Sequence, residues 1–188
     1  MAKHAPLGAQ WALLASLVIG PPGAAHAAKP WSLAGELAVS PYSEAPGETE
    51  RPFRAVALGA HLAHRWDRFG AGLAVEANVF QQEDLDGKAD FVWMGLVGLE
   101  GEVLMVGGLV RSRMGGGLAL LLEGTDLDND GVVAGFYLDL HPVGFRWPFE
   151  GWVLGVDPLT LLLAIPEPSA IPLIDIQYRA HVYAEVSF

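Results

Sequence analysis

The residues best suited to chemistry in this sequence are acids set close together. Asp126-Leu127-Asp128-Asn129-Asp130-Gly131 puts carboxylates at alternate positions ahead of a glycine. A calcium loop opens this way: alternate oxygens converge on a hard cation and the glycine permits the turn. Its twelfth position should be Glu, and here it is Tyr137, between flanks that read as strands. An EF-hand does not fit. What remains is Ca2+ coordination by Asp126, Asp128 and Asp130, set against an ordinary acidic turn, for which Asp, Asn and Gly are natural residues.

A second ionisable set is dispersed along the chain: Glu36, His61, Glu76, Asp139, His141, Asp175, Arg179, His181 and Glu185. Each sits among alternating apolar residues. Nucleophilic chemistry has little support. There is no cysteine, no Gly-x-Ser-x-Gly, no His-Glu-x-x-His and no phosphate loop. A hydrolytic triad needs a nucleophile within reach of its base, and no histidine is followed two residues later by serine.

What positions the dispersed set is a strand rhythm, clearest at the C-terminus. From Ile174 to Phe188 one face carries Ile174, Ile176, Tyr178, Ala180, Val182, Ala184, Val186 and Phe188. The other carries Asp175, Gln177, Arg179, His181, Tyr183, Glu185 and Ser187. Period two places these on opposite sides of a strand. The rhythm recurs over 31–40, 54–66, 69–79, 91–99 and 132–140. It is weaker over 151–164. Residues 103–123 read as one long strand or two short ones, with a bulge expected at Gly115-Gly116-Gly117. Taking them as one gives eight strands.

Connections then alternate in length. Short links are expected at Asp67, at Gly101 and over Pro142–Pro148. Longer polar ones are expected over 41–52, 81–90, 124–131 and 166–171.

Composition indicates which medium the apolar faces meet. Of 188 residues 52% are hydrophobic, yet the formal charge is -11. An acidic chain is a poor nucleic-acid binder. Residues 1–27 read as a cleaved signal peptide: Lys3, an apolar run from Trp11 to Ile19, a Gly-Pro-Pro-Gly break and Ala25-His26-Ala27. No later stretch approaches the ~20 apolar residues of a spanning helix. A chain that enters lipid without helices must do so as a closed barrel. The prediction is an all-β, eight-stranded antiparallel up-and-down transmembrane barrel over residues 28–188. Its polar face is turned to the lumen, and Arg179 is held there by acids such as Glu36, Glu76 or Asp175. Trp31, Trp66, Trp93, Trp147 and Trp152 are expected at the membrane interfaces.

The alternate apolar residues Tyr178, Val182, Ala184 and Val186, closing on Phe188, resemble the C-terminal pattern of the small bacterial outer-membrane barrels of the OmpA/OmpX-like superfamily. The resemblance implies that these five residues are read as an assembly signal by the barrel-assembly machinery. It also implies residence in a Gram-negative outer membrane, which heat-modifiable gel migration would test. The expected role is structural or surface contact, as a monomer with no cofactor beyond the Ca2+ considered above. A narrow channel and a soluble ligand-binding barrel are the rivals. Acidic outer loops, with Glu44, Glu48, Glu50, Glu83, Asp84, Asp86 and Asp90, would lie against lipopolysaccharide, where divalent cations bridge acid to phosphate. Some barrels of this size are lipid A deacylases resembling serine hydrolases. Here Tyr183 follows His181 where that family has serine, so no enzyme is expected.

Overall fold

The computed structural model describes residues 29–44, 55–83, 89–122, 132–167 and 173–188. The predicted signal peptide, most of the acidic connections and the Asp126–Asp130 motif lie outside the described residues. Eight strands follow one another: β1 Trp31–Glu44, β2 Ala55–Trp66, β3 Phe69–Glu83, β4 Ala89–Met105, β5 Val110–Leu122, β6 Val132–Pro148, β7 Trp152–Glu167 and β8 Leu173–Ser187. Each pairs antiparallel with its neighbours in sequence, and β8 returns to β1 to close the barrel. Closure leaves no unpaired edge. It extends to the last residue: Phe188 N donates to Trp31 O at 2.9 Å, and Trp31 N to Phe188 O at 3.3 Å.

Alternation explains which side of each strand is covered. In β1, Ser32, Ala34, Ala38 and Ser40 are buried while Leu33, Leu37 and Val39 are exposed. In β8, Gln177, Arg179, His181, Tyr183 and Glu185 are buried while Tyr178, Val182 and Val186 are exposed. Small inward residues such as Ala57, Gly59 and Ala63 leave room for long polar side chains from other strands. The lumen is not uniform. Its connection end is apolar along β2–β7, where Ala55, Phe80, Met94, Leu96, Leu121, Tyr137 and Leu162 form one cluster.

Three sequence expectations need correction. The link placed at Gly101 lies instead at Val106–Leu109, because Glu100, Gly101 and Glu102 pair without interruption with β3 and β5. Residues 103–123 are therefore neither one strand nor two. Val103 to Met105 ends β4, and β5 begins at Val110. The bulge expected at Gly115–Gly117 is absent; register runs evenly through it on both sides.

The third correction concerns the link placed over Pro142–Pro148, which is strand. Register shifts fall instead beside the prolines, between Leu140 and Phe145 in β6 and between Asp157 and Thr160 in β7. Pro142 and Pro158 are exposed there. A proline has no N–H to give a ladder, and a bulge leaves one residue unpaired. Two prolines are thus absorbed without ending either strand. Each shift also changes the phase of alternation, so the inward residues run Asp139, His141, Gly144, Arg146 in β6 and Gly155, Asp157, Thr160, Leu162 in β7.

The turns at the other end are short. Asp67 has φ of 59°, which Asp tolerates, and Val106 has φ of 51°, an outlier for a β-branched residue. Gly107 and Gly108 follow with φ of 66° and 87°, where glycine costs nothing.

Candidate functional site

Among the described residues the outward face is predominantly apolar. Leu58, Leu73, Leu99, Val97, Leu118, Phe136, Leu138 and Val182 are all exposed. An exposed apolar area of this extent is foreign to soluble monomers. Aromatic residues gather towards the short-turn end: Trp31, Trp66, Phe69, Trp147, Phe149, Trp152 and Phe188 are exposed there, with Phe149 stacked on Trp152 at 4.4 Å. Trp93, Phe136 and Tyr178 stand on the exposed face nearer the other end.

The lumen is polar and crossed by ion pairs. At the short-turn end Arg65 of β2 bonds both Glu102 of β4 and Glu185 of β8. Arg146 of β6 adds a bond to Glu185 at 2.8 Å and one to Gly108 O at 3.0 Å. Next along the lumen, Arg111 and Asp157 pair at 2.7 Å, both fully buried. The Arg111 guanidinium also lies 3.7 Å from the centroid of the Tyr183 ring. Arg113 reaches Glu36 at 2.7 Å and Glu100 at 3.2 Å. Arg179 reaches Glu76 at 2.5 Å and Asp139 at 2.9 Å. Towards the connection end the pairs give way to amides, with Asn78 Nδ2 donating to Gln177 Oε1 at 2.9 Å and Gln177 Nε2 to Asp175 Oδ2 at 2.6 Å.

The structure thus places Glu36, His61, Glu76, Asp139, His141, Asp175, Arg179, His181 and Glu185 on the inner face. Arg179 is held by Glu76 and Asp139 rather than by Glu36 or Asp175. His141 lies between two acids, Nδ1 at 2.7 Å from Asp157 and Nε2 at 3.0 Å from Asp139. His61 Nδ1 is 3.1 Å from Glu100. His181 packs edge-on against His141, with ring centroids 4.6 Å apart. Tyr178, Val182, Ala184, Val186 and Phe188 line the outer face of β8.

Several members of this network were not in the sequence reading: Arg65, Glu100, Glu102, Arg111, Arg113, Arg146 and Asp157. Glu100 and Glu102 were hidden by the misplaced turn at Gly101. Arg146 and Asp157 were hidden by the phase changes at Pro142 and Pro158. Arg111 and Arg113 do alternate with Val110, Ser112 and Met114, and that signal was available.

Charge in the lumen does not balance on arginine alone. Among the described residues, the lumen carboxylates are Glu36, Glu76, Glu100, Glu102, Asp139, Asp157, Asp175 and Glu185. The guanidiniums are Arg65, Arg111, Arg113, Arg146 and Arg179. Among the described residues, a ring nitrogen of His181 and carboxylate oxygens of Glu36 and Glu76 lie within 4.8 Å of one another, a grouping able to hold a metal ion.

No protein-family model matches the chain, and no curated protein matches it. Among solved structures it is similar to Neisserial surface protein A (NspA), at 11% identity and a TM-score of 0.56, covering 86% of this chain and 99% of that one. It is also similar to Ail, the attachment invasion locus protein of Yersinia pestis, at 11% identity and a TM-score of 0.45, covering 82% of this chain and 97% of that one. The fold is that of the small eight-stranded outer-membrane barrels.

Proposed function

We propose that the chain is an integral barrel of a Gram-negative outer membrane, with a lumen closed by side chains and a structural or surface-contact role. One observation carries this reading. The barrel is inverted relative to a soluble one, with ion pairs inside and leucine, valine and phenylalanine outside. Only lipid makes that distribution favourable, since burying charge costs several kcal/mol per ion and exposing this much apolar surface to water gains nothing in return. The aromatic residues near the barrel ends are suited to the two interfaces.

Cross-lumen pairs support a plugged barrel over a conducting one. Arg65 ties β2 to β4 and β8, Arg113 ties β5 to β1, and Arg179 ties β8 to β3 and β6. The likeness to a protein named as a Neisserial surface protein is in keeping with contact at the cell surface. In this reading the acidic connections, including Glu48, Glu50, Asp84, Asp86, Asp126, Asp128 and Asp130, face outward. There they meet lipopolysaccharide through bridging divalent cations. The barrel-assembly machinery inserts the chain as a monomer.

Two measurements test the proposal together. The protein should fractionate with the outer membrane and migrate differently on gels before and after boiling. In planar bilayers it should give no steady single-channel current. Recovery from the periplasm without detergent would refute the membrane placement, and a stable unitary conductance would refute the plug.

A further inference from the structure

The ion pairs leave negative charge over, and the structure shows where it collects. Among the described residues, eight lumen carboxylates face five guanidiniums, so three lack an arginine charge of their own. The three lumen histidines are the remaining groups that could answer them. His141 and His61 each place a ring nitrogen within 3.1 Å of a carboxylate. His181 does not. It is fully buried, neither ring nitrogen has a hydrogen-bond partner, and its nearest carboxylate oxygen, on Glu36, is 3.7 Å away.

Glu36 and Glu76, the acids nearest His181, also line a cavity of about 20 Å³ together with Glu100 and Asp139. A space of that size holds one water-sized occupant. One buried oxygen on its wall, Asp139 Oδ1, also has no partner. Four acids around so small a space, with a buried imidazole 3.7 Å from one of them and hydrogen-bonded to none, is an arrangement short of a cation.

We infer that the lumen holds one divalent first-row transition-metal ion, of which Zn2+ is the type, bound by Glu36, Glu76 and His181. Two carboxylates and an imidazole form a mixed oxygen and nitrogen set that suits zinc and its neighbours better than Ca2+ or Mg2+. The three ligand atoms already lie within 4.8 Å of one another. They need to draw in by about an ångström to stand ~2.0–2.2 Å from one ion. Arg113 on Glu36 and Arg179 on Glu76 would then serve as the hydrogen-bonding partners that ligating carboxylates usually carry. The ion joins β1, β3 and β8 at one point and removes most of the surplus negative charge.

The test uses the full chain refolded from urea into detergent micelles, with Co2+ as an optical probe and Zn2+ as competitor. Refolding with the metal present avoids any dependence on entry into a closed lumen. Wild type should bind one Co2+ per chain with visible d–d absorption, displaced by Zn2+. The variants His181→Gln and Glu76→Gln should each weaken binding by about tenfold or more. His64→Ala and the loop variant Asp126→Asn/Asp128→Asn/Asp130→Asn should bind as wild type does. Absence of saturable binding by wild type, or loss only in the loop variant, overturns the inference. Where a lumen variant fails to show the folded gel band, X-ray absorption of the wild-type Zn2+ complex decides: a shell with one imidazole and carboxylate oxygens supports the site, and a shell without imidazole refutes it.

Discussion

Tyr183 lies so close to Gly155 on the neighbouring strand that a Cβ at Gly155 would stand 1.9 Å from its Cζ. The ring is held from another side by the Arg111 guanidinium, and at 1% exposure it has nowhere to withdraw. Gly155 has ordinary extended geometry, so alanine would otherwise suit the strand. Here Gly155→Ala should destabilise the barrel by about 1–3 kcal/mol, the range for overpacking. Urea unfolding from detergent micelles measures this. In a Tyr183→Leu background the same substitution should cost measurably less, since neighbours that share a clash are not additive. Equal costs in both backgrounds would mean the ring is not what this glycine accommodates.

Asp157 is the carboxylate on which the middle of the lumen converges. It pairs with Arg111 at 2.7 Å and His141 at 2.7 Å, and lies 3.7 Å from Arg113. Arg111 has no other carboxylate among its described hydrogen bonds, and its Nε and Nη1 are already without partners. Asp157→Ala would strand a fully buried cation. A loss of about 3–5 kcal/mol is expected, as for any buried pair broken from one side. Arg111→Met added to Asp157→Ala should recover part of it, because the stranded charge is then gone. If Asp157→Ala unfolds at the wild-type urea concentration, the lumen is wetter than the ion pairs imply.

Exposure alone does not tell water from lipid, but an arginine does. Leu99 is 68% exposed on the outer face, six residues from the end of β4 at Met105. At ~3.3 Å per residue and a tilt near 40°, that is about 15 Å along the barrel axis from the turns, close to mid-belt. In water Leu99→Arg should change stability by less than about 0.5 kcal/mol. At the middle of a bilayer it should cost about 2–4 kcal/mol. Equilibrium unfolding from lipid vesicles separates the two, and a value near zero would contradict a lipid-facing surface.

How much of this was readable beforehand depended on whether phase was kept. Along β1, β2, β3 and β8, alternation runs unbroken through most of each strand, and Glu36, His61, Glu76 and Arg179 could be put inside from sequence. In β6 and β7 the rhythm skips at Pro142 and Pro158; Pro142 read as a strand-ender where it marks a bulge, and Pro158, inside the expected strand, blurred its alternation. Gly101, between Glu100 and Glu102, read as a turn because two acids and a glycine resemble one. In the fold all three residues pair, with the acids turned to Arg113 and Arg65. What sequence could not supply was partnership. Arg179 alternates into the lumen on pattern alone, but its choice of Glu76 and Asp139 comes from side-chain reach across the lumen to β3 and to β6, neither of which is β8's neighbour in the sheet.

Phe188 combines a structural contact with a proposed recognition role, and removing it should separate them. Its backbone makes two hydrogen bonds with Trp31, the last rung of the β1–β8 seam. Its ring is 55% exposed on the outer side of the barrel, away from the lumen ion pairs. Deleting Phe188 therefore costs one terminal rung, about 1–2 kcal/mol for two backbone hydrogen bonds at an end of the ladder. Refolding into detergent in vitro should survive that loss. In cells the effect should be much larger, because the terminal aromatic is the residue that the resemblance assigns to the assembly machinery. The expected result is a heat-modifiable band in micelles but a strongly reduced amount in the outer-membrane fraction. Phe188→Tyr, which keeps an aromatic ring, should restore the level. Undiminished outer-membrane levels after deletion would show that assembly reads some other part of β8, such as the outward row Tyr178, Val182, Ala184 and Val186.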